Sequence, residues 1–109
     1  MPRLTARFWI DAYLLRLQLL NIPAFVVSHG DDTAGSILIK LNTLDGAAQV
    51  YQRTYNMLED TRAWSVLLQG NEAEVDETIR RQREFDPDVW VLEIEDRQGR
   101  HLLDTPGLT

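Results

Sequence analysis

The chain has no cysteine, one lysine (Lys40) and two histidines among its 109 residues. Without cysteine, it cannot form disulfides, bind a metal through thiolates or use a cysteine nucleophile. The absence of cysteine fits a reducing compartment, and we therefore predict a cytoplasmic location.

Long uninterrupted hydrophobic runs are also missing. The most apolar N-terminal stretch, residues 8–20, is interrupted by Asp11, Arg16 and Gln18, which excludes a membrane span or a signal-peptide core there. A net charge of −6 argues against nucleic-acid binding, because neutralising phosphates requires a concentrated basic surface. We predict neither a membrane nor a nucleic-acid partner.

The composition that remains is that of a globular protein, with 44% apolar and 26% charged residues. At 109 residues the length is close to that of one common domain. We therefore predict a single domain over residues 1–109, with a loose tail at about 104–109 where Pro106-Gly107 interrupts the pattern.

The N-terminal stretch predicts a helix from Ala6 to about Leu20, with Thr5 as its N-cap. Four apolar residues, Phe8, Ala12, Leu15 and Leu19, follow one another at intervals of four, three and four positions. This spacing predicts that they form the buried face of the helix. Much of the rest of this helix is apolar as well. We interpret the excess as a homodimer contact, with the candidate residues Trp9, Tyr13, Leu17 and Leu20.

The remaining pattern predicts an α+β fold with a mostly antiparallel sheet of about five strands and the element order α-β-β-β-β-α-β. Both helices are expected on one face of the sheet, in two layers. The last strand follows the second helix, a connection that permits parallel pairing. The predicted strands cover residues 24–28, 37–41, 48–55, 62–69 and 88–95, and residues 101–103 are compatible with a short additional strand.

Turn and cap signals divide these elements. Asp45-Gly46 predicts a hairpin turn in which both residues have positive φ, and a further turn is expected over residues 56–61. Asn71, with Glu74 three residues later, predicts the start of the second helix.

Several local motifs resemble a family of small bacterial proteins of unknown function. They are the turn 42–46, the strand around Trp64, the segment 85–90, and Asp96-Arg97 with Gly99. The resemblance extends from the start at residues 5–9 to the end at 103–108. It implies one domain over nearly the whole chain, and it brings no activity, substrate or catalytic residue.

The break from His29 to Gly35 lies between two apolar strands and carries the candidate ligand-binding residues His29, Asp31 and Asp32. Imidazole and carboxylate groups are ligands for a divalent metal, and polar loops between buried strands often hold binding groups. The alternative, which we favour, is a turn in which an aspartate caps the backbone and the glycines supply positive φ.

A second candidate surface combines Tyr51 and Arg53 on one face of a strand with Lys40 on the same face of its neighbour. Aromatic and cationic side chains in this arrangement suit a flat or anionic ligand. The alternative is a partly covered sheet face that packs its long side chains.

Two hypotheses for function follow. The first is a non-catalytic interaction or regulatory module that acts as a homodimer, with no catalytic residue, resident metal or cofactor. The second is a small enzyme, or a ligand- or metal-binding protein, that uses the His29–Asp31–Asp32 loop. We favour the first, because the second depends on a single loop.

Overall fold

The structure is a computed structural model, and it describes residues 5–56, 58 and 61–105. It contains two helices and five strands in the predicted order. These are α1 (Ala6–Leu19), β1 (Ala24–Ser28), β2 (Ile37–Asn42), β3 (Ala47–Asn56), β4 (Thr61–Asn71), α2 (Glu72–Phe85) and β5 (Trp90–Glu95). Neither helix is long and apolar enough to cross a membrane, within the residues described.

All five strands form one sheet in the order β1-β5-β2-β3-β4. β5 pairs in parallel with β2, and the other neighbouring pairs are antiparallel. The α+β class and the mostly antiparallel sheet are thus confirmed. β2 is buried at every position and β5 at most positions, as expected for the central strands of a sheet that is covered on both faces.

The two helices cover opposite faces of the sheet, so the expected placement of both on one face was wrong. α1 packs on the face formed by Ile39, Leu92 and Ile94, and α2 packs through Val75 and Ile79 on the other face. The physical reason is that β2 and β5 carry apolar residues on both of their faces. Each face therefore needs its own cover.

The side of α1 that faces the core is opposite to the predicted one. Trp9, Tyr13 and Leu17 are buried inside the chain's own core and are therefore not available as dimer contacts. Phe8, Leu15 and Leu19 face outward with 60%, 55% and 73% of their surface exposed. Because α1 is apolar around most of its circumference, the spacing does not determine its buried side. The contact of Trp9 with Trp64 of β4 places this side of α1 against the sheet.

The connections differ from the sequence prediction in two places. The β2–β3 hairpin is confirmed, but its positive φ angles belong to Leu44 and Gly46 rather than to Asp45. Residues 101–103 form no strand. They cover the sheet as a loop, with Leu103 in the core and the His101 carbonyl accepting from the Tyr13 hydroxyl at 2.7 Å. Positions 57, 59 and 60 of the predicted turn, and positions 106–109 of the predicted tail, lie outside the described residues.

Candidate functional site

The loop 29–35 packs against the N-terminus of α1. The first N–H groups of a helix have no partner within the helix and need acceptors from elsewhere. The carbonyls of Thr33 and Asp32 accept from the N–H groups of Ala6 and Arg7, at 3.1 and 2.9 Å. The Thr5 hydroxyl accepts from Phe8 N–H at 3.2 Å. The loop and the predicted N-cap thus complete the start of α1 together.

Trp90 anchors this loop to the sheet. Its indole Nε1 donates to the Asp31 carbonyl at 2.7 Å, and the His29 ring lies against the indole with 4.0 Å between ring centroids. A Cβ on Gly30 would lie 2.3 Å from the Asp88 carbonyl, closer than atoms can approach. Gly30 is therefore required by the tight packing on β5 and not, as expected, by a positive φ.

The three candidate ligands of the loop do not converge on one point. The Asp31 carboxylate accepts from the N–H groups of Thr33 and Ala34, at 3.1 and 2.8 Å. The Asp32 carboxylate lies 2.9 Å from His29 Nε2 and 3.8 Å from an Arg7 guanidinium nitrogen. Within the described residues, no group of three His, Asp or Glu side chains is arranged to hold a metal ion. The geometry matches the part of the turn interpretation in which an aspartate caps the backbone. The other part was wrong, because neither Gly30 nor Gly35 has a positive φ.

We expect Asp31→Ala to lower the free energy of unfolding by about 1–2 kcal/mol, because it removes the side-chain acceptor of two loop N–H groups. Asp32→Ala is the matched control at an equally exposed position, since the Asp32 carboxylate contacts the side chains of His29 and Arg7. Urea denaturation followed by circular dichroism measures both. Equal losses in the two variants would contradict the capping role of Asp31.

The most concentrated group of charges surrounds Lys40, which is almost fully buried in β2. Its ammonium donates to Asp76 at 2.6 Å and to Glu72 at 2.7 Å, and lies 3.4 Å from Glu93. Glu72 Oε2 also accepts from the side-chain amide of Asn42 at 3.0 Å. We call these five residues the Lys40 cluster. It joins the central strands to the N-terminal part of α2.

Burial by itself lowers the pKa of Lys40, but the hydrogen bonds to Asp76 and Glu72 and the charge of Glu93 outweigh it and raise the pKa above the usual lysine value. An ammonium held in this way is charged, with two hydrogen bonds to carboxylates and a third carboxylate nearby. It is neither a nucleophile nor a base. The cluster therefore links the central strands of the sheet to α2.

The sheet separates Lys40 from Tyr51 and Arg53, which corrects the expected shared surface. Lys40 lies opposite Val50 and shares its face, under α2, whereas Tyr51 lies opposite Ile39 and faces α1. Arg53 sits 5.4 Å from the ring centroids of both Trp9 and Trp64. The pairing register decides which face each residue occupies, because side chains alternate along a strand.

The sequence reasoning missed the acidic partners of Lys40. Glu72 and Asp76 lie 32 and 36 residues further along the chain, and on an isolated α2 they are ordinary N-terminal acids. One signal was available. Lys40 is the only lysine and stands inside an apolar strand, a position that requires a buried partner for its charge.

Besides the loop 29–35 and the Lys40 cluster, a groove lies at the sheet edge, between α1 and β1. The groove, of about 400 Å³, is lined by Leu14, Gln18, Asn21, Ile22, Pro23 and Ala24, and we call it the α1–β1 groove. Next to it, the β1 side chains Phe25, Val26 and Val27 are exposed. Leu20, one of the expected dimer contacts, remains 48% exposed at the end of α1.

Known structures share this arrangement. A crystal structure of a DUF1491 family protein from Caulobacter crescentus CB15 is 33% identical, with a TM-score of 0.86 over 95% of this chain and 98% of that one. An NMR structure of a DUF1491 family protein from the same organism is 32% identical, with a TM-score of 0.83 over 97% of both chains. The solution structure of protein Atu0922 from A. tumefaciens is 26% identical, with a TM-score of 0.74 over 86% of both chains.

No protein with a curated function matches the chain. Its sequence matches the family described as "Protein of unknown function (DUF1491)" over residues 4–104. This match covers most of the 109 residues and agrees with the resemblance found in the sequence motifs. The chain belongs to the DUF1491 family.

Proposed function

We propose that this protein is a non-catalytic interaction module that acts as a homodimer in the cytoplasm, through the surface formed by α1 and β1. One observation carries the proposal. Seven of the eleven large apolar side chains that are exposed in the described residues lie between positions 8 and 27. They are Phe8, Leu15, Leu19 and Leu20 of the α1 region, and Phe25, Val26 and Val27 of β1.

The chemistry of this surface suits a second copy. The seven exposed side chains flank the β1 edge from both faces of the sheet. Val26 shares the face of α1 with Ala24, and Phe25, opposite Glu93, lies on the other face. β1 itself carries no charged residue, although the chain as a whole has a net charge of −6. Two copies can therefore meet there without placing like charges opposite one another.

The non-catalytic part of the proposal is supported by the polar groups of the candidate sites, which form hydrogen bonds and ion pairs with other groups of the chain. Lys40 is held between carboxylates, and the Asp31 carboxylate caps its own turn. The lack of cysteine supports the cytoplasmic location, as the sequence predicts.

Sedimentation velocity at micromolar concentration tests the proposal. We expect a homodimer in the wild type. In Phe25→Lys we expect the dissociation constant to rise about 100-fold, because two ammonium groups then face an apolar interface.

The matched control is Phe85→Lys, which makes the same change at the end of α2, where Phe85 is 88% exposed. It should leave the association unchanged. A monomeric wild type at all concentrations, or equal effects of the two variants, would contradict the proposal.

A further inference from the structure

The edge strand β1 has the features of an unprotected sheet edge. It is the terminal strand of the sheet, next to β5, and its five residues, Ala24–Ser28, include no charge. Edge strands in natural proteins are usually protected by charges, proline or bulges. Here a register irregularity occurs only after Val26, and the first three residues of the strand are regular.

The pairing with β5 determines which backbone groups of β1 remain open. Glu95 N–H donates to the Pro23 carbonyl at 2.9 Å, and Ala24 lies opposite Ile94. Because hydrogen-bonded and non-hydrogen-bonded pairs alternate along an antiparallel ladder, Phe25 directs its N–H and C=O groups toward β5. Ala24 and Val26 direct theirs away from the sheet.

We infer, on the basis of the proposed homodimer, that two copies join their β1 strands in antiparallel fashion about a two-fold axis at Phe25. In this register each Ala24 lies opposite the partner's Val26, and the two residues exchange N–H and C=O hydrogen bonds. The two-fold axis repeats this exchange, which gives four hydrogen bonds. The two five-stranded sheets become one continuous sheet.

Side chains on both faces fit this arrangement. The two Phe25 side chains lie directly opposite each other at a non-hydrogen-bonded position, where cross-strand aromatic pairs are closest. Ala24 packs toward the α1 core, and Val26, two residues on, shares that face. The partner's Val26 therefore stands beside Ala24, which lines the α1–β1 groove, and its isopropyl group is the occupant that we assign to the groove.

Neighbouring registers are disfavoured by the chain itself. A two-fold axis at Ala24 requires the N–H of Ile22, which already donates to the Leu17 carbonyl at 3.0 Å. A two-fold axis at Val26 requires Ser28, which lies beyond the register irregularity. The axis at Phe25 uses backbone groups that lie in the regular part of β1 and point away from β5.

A cysteine scan tests the register directly, because the wild-type chain has no cysteine. The variants Ala24→Cys, Phe25→Cys and Val26→Cys each introduce a single thiol. In the proposed register the two copies of residue 25 have Cα atoms about 4.5 Å apart, within disulfide range. The copies of residue 24, and those of residue 26, are about 8 Å apart and beyond that range.

After mild oxidation we expect Phe25→Cys to run mainly as a dimer on a non-reducing gel. Ala24→Cys, Val26→Cys and the control Val66→Cys on the opposite edge strand should remain mainly monomeric. Faster cross-linking at residue 24 or 26 would overturn the register. If sedimentation shows a dimer but residue 25 links no faster than residue 66, the edge pairing is wrong and the homodimer stands. A monomeric wild type overturns both.

Val26→Pro provides a second test that does not depend on oxidation. Proline removes the outward N–H of Val26 but leaves the hydrogen bonds between β1 and β5 intact. Edge strands tolerate proline at such a position. We expect a circular dichroism spectrum like that of the wild type and a dissociation constant raised at least about tenfold, since two of the four hydrogen bonds are lost. An unchanged dissociation constant in a folded variant would overturn the pairing.

Discussion

Replacing Trp90 with alanine should lower the free energy of unfolding by about 3–5 kcal/mol, the range for a buried aromatic residue cut back to alanine. Trp90 is 1% exposed, belongs to the core under α1, and donates its indole N–H to the Asp31 carbonyl. Its loss opens a cavity and also releases the loop that completes the N-terminus of α1. Since small domains are stable by only about 5–15 kcal/mol, the variant should be close to unfolding at 37 °C.

Urea denaturation followed by circular dichroism measures this loss. Trp90→Phe separates the two contributions, because it keeps most of the ring volume and removes only the donor, for an expected loss of about 1–2 kcal/mol. Hydrogen exchange provides a local readout. The amides of Ala6 and Arg7, which donate to the loop carbonyls, should lose protection before the rest of α1. Unchanged protection there would contradict the link from Trp90 through the loop to the helix.

Lys40→Met should lower the free energy of unfolding at pH 7 by about 2–3 kcal/mol. Removing one partner from a buried ion pair costs about 3–5 kcal/mol, and we reduce this figure because Glu72 and Asp76 are about half exposed to solvent. The variant leaves the carboxylates of Glu72, Asp76 and Glu93 facing one another without the ammonium that holds them. Asp76→Asn in the Lys40→Met background should therefore recover part of the loss.

The pH dependence has a defined sign. The pKa of Lys40 is raised in the folded state, so its stabilisation is complete below the unfolded lysine value of about 10.4 and is lost as the pH rises through the folded value. The stability difference between wild type and Lys40→Met should thus be constant near neutral pH and shrink above about pH 10.4. Arg80→Met is the control, because Arg80 pairs with two acids on the exposed side of α2. A similar loss in both variants would contradict a special role for the Lys40 cluster.

Local signals in the sequence located most of the elements correctly. Thr5 caps α1 and Asn71 caps α2, each by accepting from an N–H group three residues further along the chain. The sequence predicts such contacts because both partners belong to the same helical turn. Alternating apolar residues located all five strands. The parallel pairing of β5 with β2 was permitted by the intervening helix but not required by it.

The candidate site was less predictable, because its contacts join distant parts of the chain. Carbonyls of the loop 29–35 accept from N–H groups at the start of α1, more than twenty residues earlier in the chain. The Asp31 carbonyl also accepts from the indole N–H of Trp90, which lies fifty-nine residues later. Nothing in the loop's own residues specifies these partners. Its two glycines indicated a turn, whereas the structure requires Gly30 for close packing against β5.

By itself, the sequence determined the order of the elements, the α+β class, the family and the absence of thiol chemistry, because each depends on composition or on short-range spacing. Only the tertiary structure decided that α1 buries Trp9, Tyr13 and Leu17 and exposes Phe8, Leu15 and Leu19. It also decided that Lys40 lies beneath α2 and that β1 forms one edge of the sheet. These outcomes depend on which side of an element meets the core and on strand register, and long-range packing sets both.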